Sequence, residues 1–167
     1  PLHSLGKLET LLIQIAGITG NAEVDLSRRG LIAMCADNGV VEEGVTQTGQ
    51  EVTAIVAENF LKYDTSVGVM CKQNHAEIFP VDMGMVTDTK VRTDHKIAYG
   101  TQNMTKGPAM TREQAVKGLE AGIDMVRELN DKGYRILATG EMGIGNTTTS
   151  SAVASVLLKQ PVEEMTG

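Results

Sequence analysis

The stretch Arg135-Ile-Leu-Ala-Thr-Gly-Glu-Met-Gly-Ile-Gly-Asn-Thr-Thr-Thr149 decides the fold of this chain. Its first five residues form a short, mostly apolar run that predicts a buried strand, and the Ala-, Val- and Leu-rich run over 150–158 predicts a packed helix. Gly140, Gly143 and Gly145 therefore lie at a strand-to-helix turn. Glycines let the backbone approach a ligand closely, and a helix start offers unpaired N–H groups and the positive end of the helix dipole. The stretch thus predicts an anion site, most often for phosphate.

Two known phosphate-binding patterns resemble this stretch without fitting it. The glycines have P-loop spacing, but Asn146 stands where a triphosphate site needs lysine, which argues against an NTPase. Gly143 and Gly145 begin a dinucleotide fingerprint, but Thr148 replaces its third glycine, which argues against NAD. A plain glycine turn, with Asn146 or Thr147 as the N-cap of the helix, explains the glycines alone equally well.

The composition is that of one globular domain, residues 1–167. Of the 167 residues, 41% are hydrophobic and 22% are charged, which is enough for a single core. The formal net charge of -6, without a basic block, argues against binding to nucleic acid or a membrane surface. No apolar run reaches the length of a transmembrane helix. Cys35 and Cys71 are too few for a disulfide framework and favour a reducing cytoplasm.

Alternating strands and helices predict an α/β fold with a doubly wound, mostly parallel sheet and helices on both faces. Strands are predicted at 31–36, 76–81 and 135–139, and Pro80 either argues against the second strand or places it near a sheet edge. A short helix is predicted over 66–72. Three longer helices are predicted from their apolar faces, the first capped by Ser4 and the last by the capping box of Thr111 and Gln114. These faces are Leu8, Leu11, Leu12 and Ile15; Val52, Ile55, Val56 and Phe60; and Ala115, Leu119, Ile123 and Val126.

Three acids follow the three predicted strands, each with a glycine within three residues: Asp37, Asp82 and Glu141. Because parallel strands end at one edge of a sheet, where such sheets bind ligands, the three acids are predicted to converge there. One acid alone would be explained by turn chemistry. Three acids beside a turn that is predicted to bind phosphate favour a substrate that carries an anionic group and develops positive charge during the reaction. Phosphoribosyl transfer has both features, since carboxylates stabilise the oxocarbenium-like ribose carbon.

Seven motifs, which span essentially the whole chain, carry a resemblance to a known family. They are Ser4-Leu-Gly-Lys-Leu-Glu9, Ala36-Asp-Asn-Gly-Val-Val-Glu-Glu-Gly-Val45, Gln50-Glu-Val-Thr53, Val81-Asp-Met-Gly84, Gly100-Thr-Gln-Asn-Met104, Pro108-Ala-Met-Thr-Arg-Glu113 and Gly140-Glu-Met-Gly-Ile-Gly-Asn-Thr-Thr148. On these motifs, which run in family order, the chain resembles the nicotinate-nucleotide–dimethylbenzimidazole phosphoribosyltransferases.

The resemblance implies an activity and its setting. Phosphoribose would move from nicotinate mononucleotide to 5,6-dimethylbenzimidazole, giving α-ribazole 5'-phosphate and nicotinate in the synthesis of the cobalamin lower ligand. The partners implied are these small molecules, with no nucleic acid, no membrane, no metal and no organic cofactor. The family's enzymes are expected to be homodimers with a doubly wound α/β domain and a smaller helical part.

The resemblance also implies roles for individual residues. Glu141 lies in the family's active-site loop, close to where base and ribose meet, and is expected to act through charge and position. Thr46 and Gln50 fall in the wall of the base pocket. The remaining residues border the nucleotide or match motif positions without an assigned role; they are Gly143, Gly145, Asn146, Thr147, Asp37 and Asp82.

Two departures from the family pattern bear on activity. Asn38 stands where many relatives have histidine. The chain also stops at Gly167, where the family continues into a second half that carries the glutamate usually assigned as general base and further groups that hold the phosphate. We therefore expect a fold that is incomplete relative to the family and an isolated chain that is almost or wholly inactive. The alternative is a non-catalytic nucleotide- or base-binding module made of this half alone.

Overall fold

A computed structural model describes residues 3–166 as a three-layered α/β structure. The three strands lie in the order β2-β1-β3 and all run parallel, which confirms the predicted fold class. In chain order the elements are α1 (Lys7–Thr19), β1 (Arg29–Ala36), a short 3₁₀ helix (Gly39–Glu43), α2 (Glu51–Leu61), α3 (Ser66–Gln73), β2 (Ala76–Gly84), α4 (Arg112–Asp131), β3 (Ile136–Met142), α5 (Asn146–Leu158) and α6 (Val162–Met165).

The central strand β1 pairs along most of its length with both neighbours, so it sets the register of the sheet. Pro80 lies in the edge strand β2, where its missing N–H removes no bond from the centre of the sheet. The prediction that the strand at 135–139 is buried is wrong, since no residue of β3 is buried. The predicted strands are correct in position, but β2 and β3 extend further, to Gly84 and Met142. Glu141 consequently belongs to the end of β3 and not to the loop that follows it.

Two apolar clusters cover the two faces of the sheet. The face beneath α2 and α3 is built around Cys35 and Phe60. The face beneath α4 is built around Val81, Met125 and Leu129. Helices therefore pack on both faces of the parallel sheet, as predicted for a doubly wound arrangement.

Helix α4 starts as predicted but buries a different face. Its capping box is complete, because the Thr111 hydroxyl accepts the Gln114 N–H at 3.1 Å and the Gln114 side chain accepts the Thr111 N–H at 2.8 Å. The core contacts come from Ala121, Met125 and Leu129. Three of the four residues predicted to be buried are exposed instead: Leu119, Ile123 and Val126. The helix carries two apolar stripes, and the period of 3.6 residues does not reveal which one meets the sheet.

The other two predicted apolar faces are also only partly correct. α1 starts at Lys7, with Gly6 rather than Ser4 at its N-cap position, and it contains no buried residue. α2 buries Phe60 as predicted, but it presents Thr53 and two alanines to the core while Ile55 is exposed.

One edge of the sheet and one helix remain uncovered within residues 3–166. β3 pairs with β1 on one side and with no described strand on the other. In α5 only Ser155 is buried, whereas Val156 and Leu157 are 77% and 75% exposed. Exposed apolar surface of the kind that α5 presents is typical of regions that another polypeptide segment covers. No helix of the described residues is both long and apolar enough to cross a bilayer.

A salt-bridge network ties α4 to the segment after β2 and makes stability depend on pH. Glu128 accepts from Arg92 at 2.6 Å and from Lys132 at 2.5 Å. These bonds, that from Arg92 first, lower the pKa of the Glu128 carboxyl from its ordinary 4.5 to about 2. Because the pKa is depressed in the folded state, the stabilisation is fully present above the unfolded value and is lost as the pH falls from 4.5 towards 2.

We expect Glu128→Gln to lower the free energy of unfolding by about 1 kcal/mol at pH 7, because the ion pairs are partly exposed to solvent. The difference from wild type should shrink below pH 4.5 and vanish near pH 2. Urea unfolding at several pH values measures it. Glu120→Gln is the control, since Glu120 lies on the same helix without an ion pair in residues 3–166. A penalty for Glu128→Gln that stays constant down to pH 2 would contradict this assignment.

Candidate functional site

The candidate site lies at the carboxyl ends of β1 and β3, where the turn 143–145 leads into α5. Gly145 has the left-handed conformation, with φ of 85°, and α5 begins at Asn146. The interpretation of Asn146 or Thr147 as N-cap is therefore wrong, and no side chain caps this helix. Within residues 3–166 no acceptor contacts the N–H groups of Thr147 and Thr148. An uncapped helix start of this kind is suited to binding an anion.

Gly143 is required because the turn lies directly on the end of β1. A Cβ atom at this position would overlap the Ala36 carbonyl oxygen and lie 2.9 Å from both Asn38 Nδ2 and Glu141 Oε1. Any side chain here would push the turn, the strand end and the acid apart. This glycine therefore brings the anion-binding turn and the carboxylate together.

We expect Gly143→Ala to lower the free energy of unfolding by about 2 kcal/mol, because overpacking against backbone forces the chain to shift. Gly122→Ala is the matched control: Gly122 lies inside α4, and an added Cβ meets nothing within 4 Å. That control should stabilise the protein by about 0.5–1 kcal/mol through helix propensity. Urea unfolding compares the two variants. A Gly143→Ala variant as stable as wild type would mean that the turn is not held against β1.

Glu141 connects the strand end to the helix start. Its Oε2 accepts a hydrogen bond from the Asn146 side-chain amide, the first residue of α5. Partial desolvation raises the pKa of the Glu141 carboxyl, and the hydrogen bond from Asn146 opposes that rise. A fixed carboxylate beside a helix start can stabilise positive charge in a ligand whose anionic end the helix binds.

Asp37 and Asp82 lie at the same carboxyl edge of the sheet but are buried, at 1% and 0% exposure. Asp37 Oδ2 accepts the Val86 N–H and Asp82 Oδ1 accepts the Met85 N–H, each at 2.7 Å. Lys96 Nζ lies 3.1 Å from the other oxygen of Asp82. Two carboxylates with these partners fix the turn that follows β2.

The parallel strands place the three acids at one edge, as predicted, but not around one point. Asp82 pairs in register with Cys35, and Glu141 pairs with Met34, on either side of the central strand. Because side chains alternate along a strand, Asp82 and Glu141 point to opposite faces of the sheet. Contacts of Asp37 and Asp82 with substrate stay a prediction, and their bonds to the backbone favour a supporting role.

The two residues assigned to the base pocket lie in the segment before α2. Gln50 Nε2 donates to the Asn38 carbonyl oxygen at 3.1 Å, which places it beside the candidate site. Thr46 donates to the Thr48 carbonyl oxygen at 2.7 Å. The structure therefore connects Gln50 with the site through Asn38, and it places Thr46 within the turn that precedes Gln50.

Sequence reasoning assigned no role to two side chains that contact the glycine turn, Asn38 and Thr53. Asn38 Nδ2 donates to the Ile144 carbonyl oxygen at 3.0 Å, and Thr53 Oγ1 accepts the Ile144 N–H at 3.1 Å. Asn38 lies two residues beyond the end of the predicted strand 31–36, and its contact could not be found, because its partner Ile144 is 106 residues away. Thr53 could not be found either, because a threonine inside a helix gives no sign that its hydroxyl is used.

An open groove of about 790 Å³ lies beside the helix start, between α5 and the segment 101–110. Its polar lining includes Asn38, Thr101 and Thr149, and its apolar lining includes Met110 and Val153. Most of its lining comes from α5 and includes the exposed Val156 and Leu157, so the groove is continuous with the helix face that residues 3–166 leave uncovered. No group of three or more His, Cys, Asp or Glu side chains in residues 3–166 is placed to hold a metal ion.

A parallel sheet that ends in a glycine turn, an uncapped helix start and a carboxylate is the arrangement of α/β proteins that bind phosphorylated ligands. Comparison with models of protein families identifies the family within this class. A family model described as phosphoribosyltransferase matches residues 1–167. The chain belongs to this phosphoribosyltransferase family.

Two similar proteins from different organisms carry the same name. The chain is 50% identical over 169 residues to the nicotinate-nucleotide–dimethylbenzimidazole phosphoribosyltransferase of Clostridium acetobutylicum, covering 100% of this chain and 48% of that protein. The protein of that name from Ruminiclostridium cellulolyticum is also 50% identical, with the same coverage. A crystal structure of CobT from Thermus thermophilus superimposes with a TM-score of 0.91 at 35% identity, over 100% of this chain and 51% of that one. The chain thus spans about half the length of the curated relatives it matches.

Proposed function

We propose that this chain contributes to transfer of phosphoribose from nicotinate mononucleotide to 5,6-dimethylbenzimidazole, which yields α-ribazole 5'-phosphate and nicotinate for the cobalamin lower ligand. The observation that carries the proposal is the hydrogen bond between Glu141 and Asn146, which joins a carboxylate to an uncapped helix start. The names of the similar proteins support the choice of substrates.

In the proposed site, different groups contact the phosphate and the ribose carbon of the nucleotide. The first-turn N–H groups of Thr147 and Thr148 bind the phosphate, with Gly143, Gly145 and Asn146 bordering the nucleotide. Glu141 stabilises the cationic ribose carbon as the bond to nicotinate breaks. The nicotinate glycosidic nitrogen is already cationic, so nicotinate leaves with little help from an acid.

The incoming base is assigned to the side of the site next to Gln50. We assign Gln50 and Thr46 to the wall of its pocket, and the bond from Gln50 Nε2 to the Asn38 carbonyl oxygen supports the assignment of Gln50. Removing the proton from the base nitrogen calls for a general base. Asp37 and Asp82 are poorly suited to that role, since both are buried and accept backbone N–H groups. We assign the general base to the half of the family's chain that lies beyond residue 167.

The setting of the reaction is part of the same proposal. The buried, unpaired thiols of Cys35 and Cys71 fit a reducing compartment, and we propose a cytoplasmic location. We also propose that the functional protein is a homodimer. Small molecules are the expected partners, and the proposed chemistry uses no metal or organic cofactor.

Titration of the ¹⁵N-labelled chain with nicotinate mononucleotide tests the binding part of the proposal. We expect shifts of the Thr147 and Thr148 amide signals, since these groups are assigned to the phosphate. Ribose 5-phosphate should reproduce these shifts, and nicotinate, which lacks a phosphate, should not. Nicotinate mononucleotide that leaves the amides of residues 143–149 unmoved would contradict the proposed site.

A further inference from the structure

Both backbone polar groups of Ile144, the middle residue of the glycine turn, are held by side chains from other elements. Its N–H donates to Thr53 Oγ1 of α2 at 3.1 Å, and its carbonyl oxygen accepts from Asn38 Nδ2 at 3.0 Å. The turn is flanked by Gly143 and Gly145, which restrict the backbone least of all residues. Without these two bonds, the direction of the following helix start would be poorly defined.

Asn38 also contacts the segments on either side of the turn. Its Oδ1 accepts the Thr149 hydroxyl, in the first turn of α5, at 3.2 Å. Its backbone carbonyl accepts Gln50 Nε2 at 3.1 Å. One residue at the end of β1 therefore links the turn, the start of α5 and the residue assigned to the base pocket.

We infer that Asn38 and Thr53 form a clamp on Ile144 that aims the first-turn N–H groups of α5 at the phosphate of the ligand. The inference rests on the proposed function and assigns positioning residues to that site. Thr53 acts only through the turn, because it is 0% exposed and cannot touch a ligand. Donors that are oriented before the ligand arrives do not have to be ordered on binding, which favours affinity.

The two side chains of the clamp supply different hydrogen-bonding groups, so they can be tested by different substitutions. Thr53 must offer a hydroxyl acceptor, so Thr53→Ser keeps the bond and Thr53→Val removes it with little change of shape. Asn38 must offer an amide donor, so Asn38→Asp keeps the shape but places a carboxylate oxygen against the Ile144 carbonyl. The four proteins, wild type included, separate loss of the bond from loss of packing.

Two measurements on the 167-residue chain test the clamp. Hydrogen exchange of the Ile144 amide reports on the turn itself, and we expect it to speed up about tenfold in Thr53→Val, in line with the net worth of one hydrogen bond. Titration with nicotinate mononucleotide reports on the ligand, and we expect Kd to rise about fivefold or more in Thr53→Val and Asn38→Asp. Thr53→Ser should restore both values towards wild type.

The outcomes separate the clamp from the proposed function. Unchanged exchange and unchanged Kd in Thr53→Val would overturn the clamp. A lower Tm with unchanged Kd would also overturn it, because Thr53 would then serve folding alone. A wild-type chain that does not bind nicotinate mononucleotide would overturn the proposed function, and Ile144 exchange would then decide on its own whether the turn is clamped.

Discussion

The isolated 167-residue chain is expected to form α-ribazole phosphate at least about 10²-fold more slowly than a full-length relative. A general base contributes on the order of 10²–10⁴ in rate, and the buried acids Asp37 and Asp82 are engaged with the backbone. In the proposed site, the phosphate contacts that residues 3–166 supply are the first-turn N–H groups of α5. Loss of the phosphate contacts assigned to the second half of the family's chain lowers the rate further, because reacting atoms must be kept in line.

The assay supplies nicotinate mononucleotide and dimethylbenzimidazole at saturating concentrations and measures α-ribazole phosphate. The full-length Clostridium acetobutylicum protein is the positive control. Addition of the C-terminal half of that relative should restore part of the turnover. Binding without turnover, even after this addition, would instead favour a non-catalytic binding module. Turnover by the isolated chain at the rate of the relative would move the general base into residues 1–167, with Glu141 as the first candidate.

Glu141→Gln is expected to lower turnover by about 10²-fold when the chain is supplied with the C-terminal half of the relative. Glutamine keeps the size of the side chain and can still accept from Asn146, but it removes the charge that we propose to stabilise the ribose carbon. The loss of one preorganised electrostatic group typically has this magnitude. The melting curve should not change, because Glu141 lies outside both apolar clusters.

The pH profile distinguishes a charge effect from a change of shape. Since burial raises the pKa of Glu141, its negative charge is lost at a higher pH than in an ordinary glutamate, and turnover should fall as the pH drops through that value. This acidic limb should be absent in Glu141→Gln. The control Glu120→Gln, in α4 and outside the proposed site, should keep both the wild-type turnover and the acidic limb of the pH profile. Wild-type turnover in Glu141→Gln would refute the electrostatic role.

Local patterns that physical chemistry fixes within a few residues could be predicted from the sequence. The capping box at Thr111 begins α4, and Pro80 lies in an edge strand. The parallel course of the strands followed from their alternation with helices, and the glycine turn before α5 followed from the spacing of its glycines. In each of these features the residues that cause the structure are neighbours in the chain.

Features that depend on distant residues could not be predicted. The exposed stripe of Leu119 and Ile123 has the same period as the buried stripe of α4, and only the sheet decides between them. Asp37 is directed away from solvent by the Val86 N–H, which is 49 residues further along the chain. The contact of Asn38 with Ile144 spans 106 residues. Such contacts arise from the three-dimensional arrangement and leave no local signal.

The outer edge of β3, which no other strand of residues 3–166 pairs with, affects the solubility of the polypeptide in a cell. A strand whose outer N–H and C=O groups lack a partner is a template for any other extended chain. The exposed Val156 and Leu157 of α5 add apolar surface to the same molecule. Productive assembly therefore competes with aggregation, and the outcome depends on chain concentration and on how soon a covering segment arrives. Overproduction of these 167 residues alone should send part of the chain into inclusion bodies and leave the rest in the supernatant, and coexpression with the complementary half of a relative should raise the fraction in the supernatant.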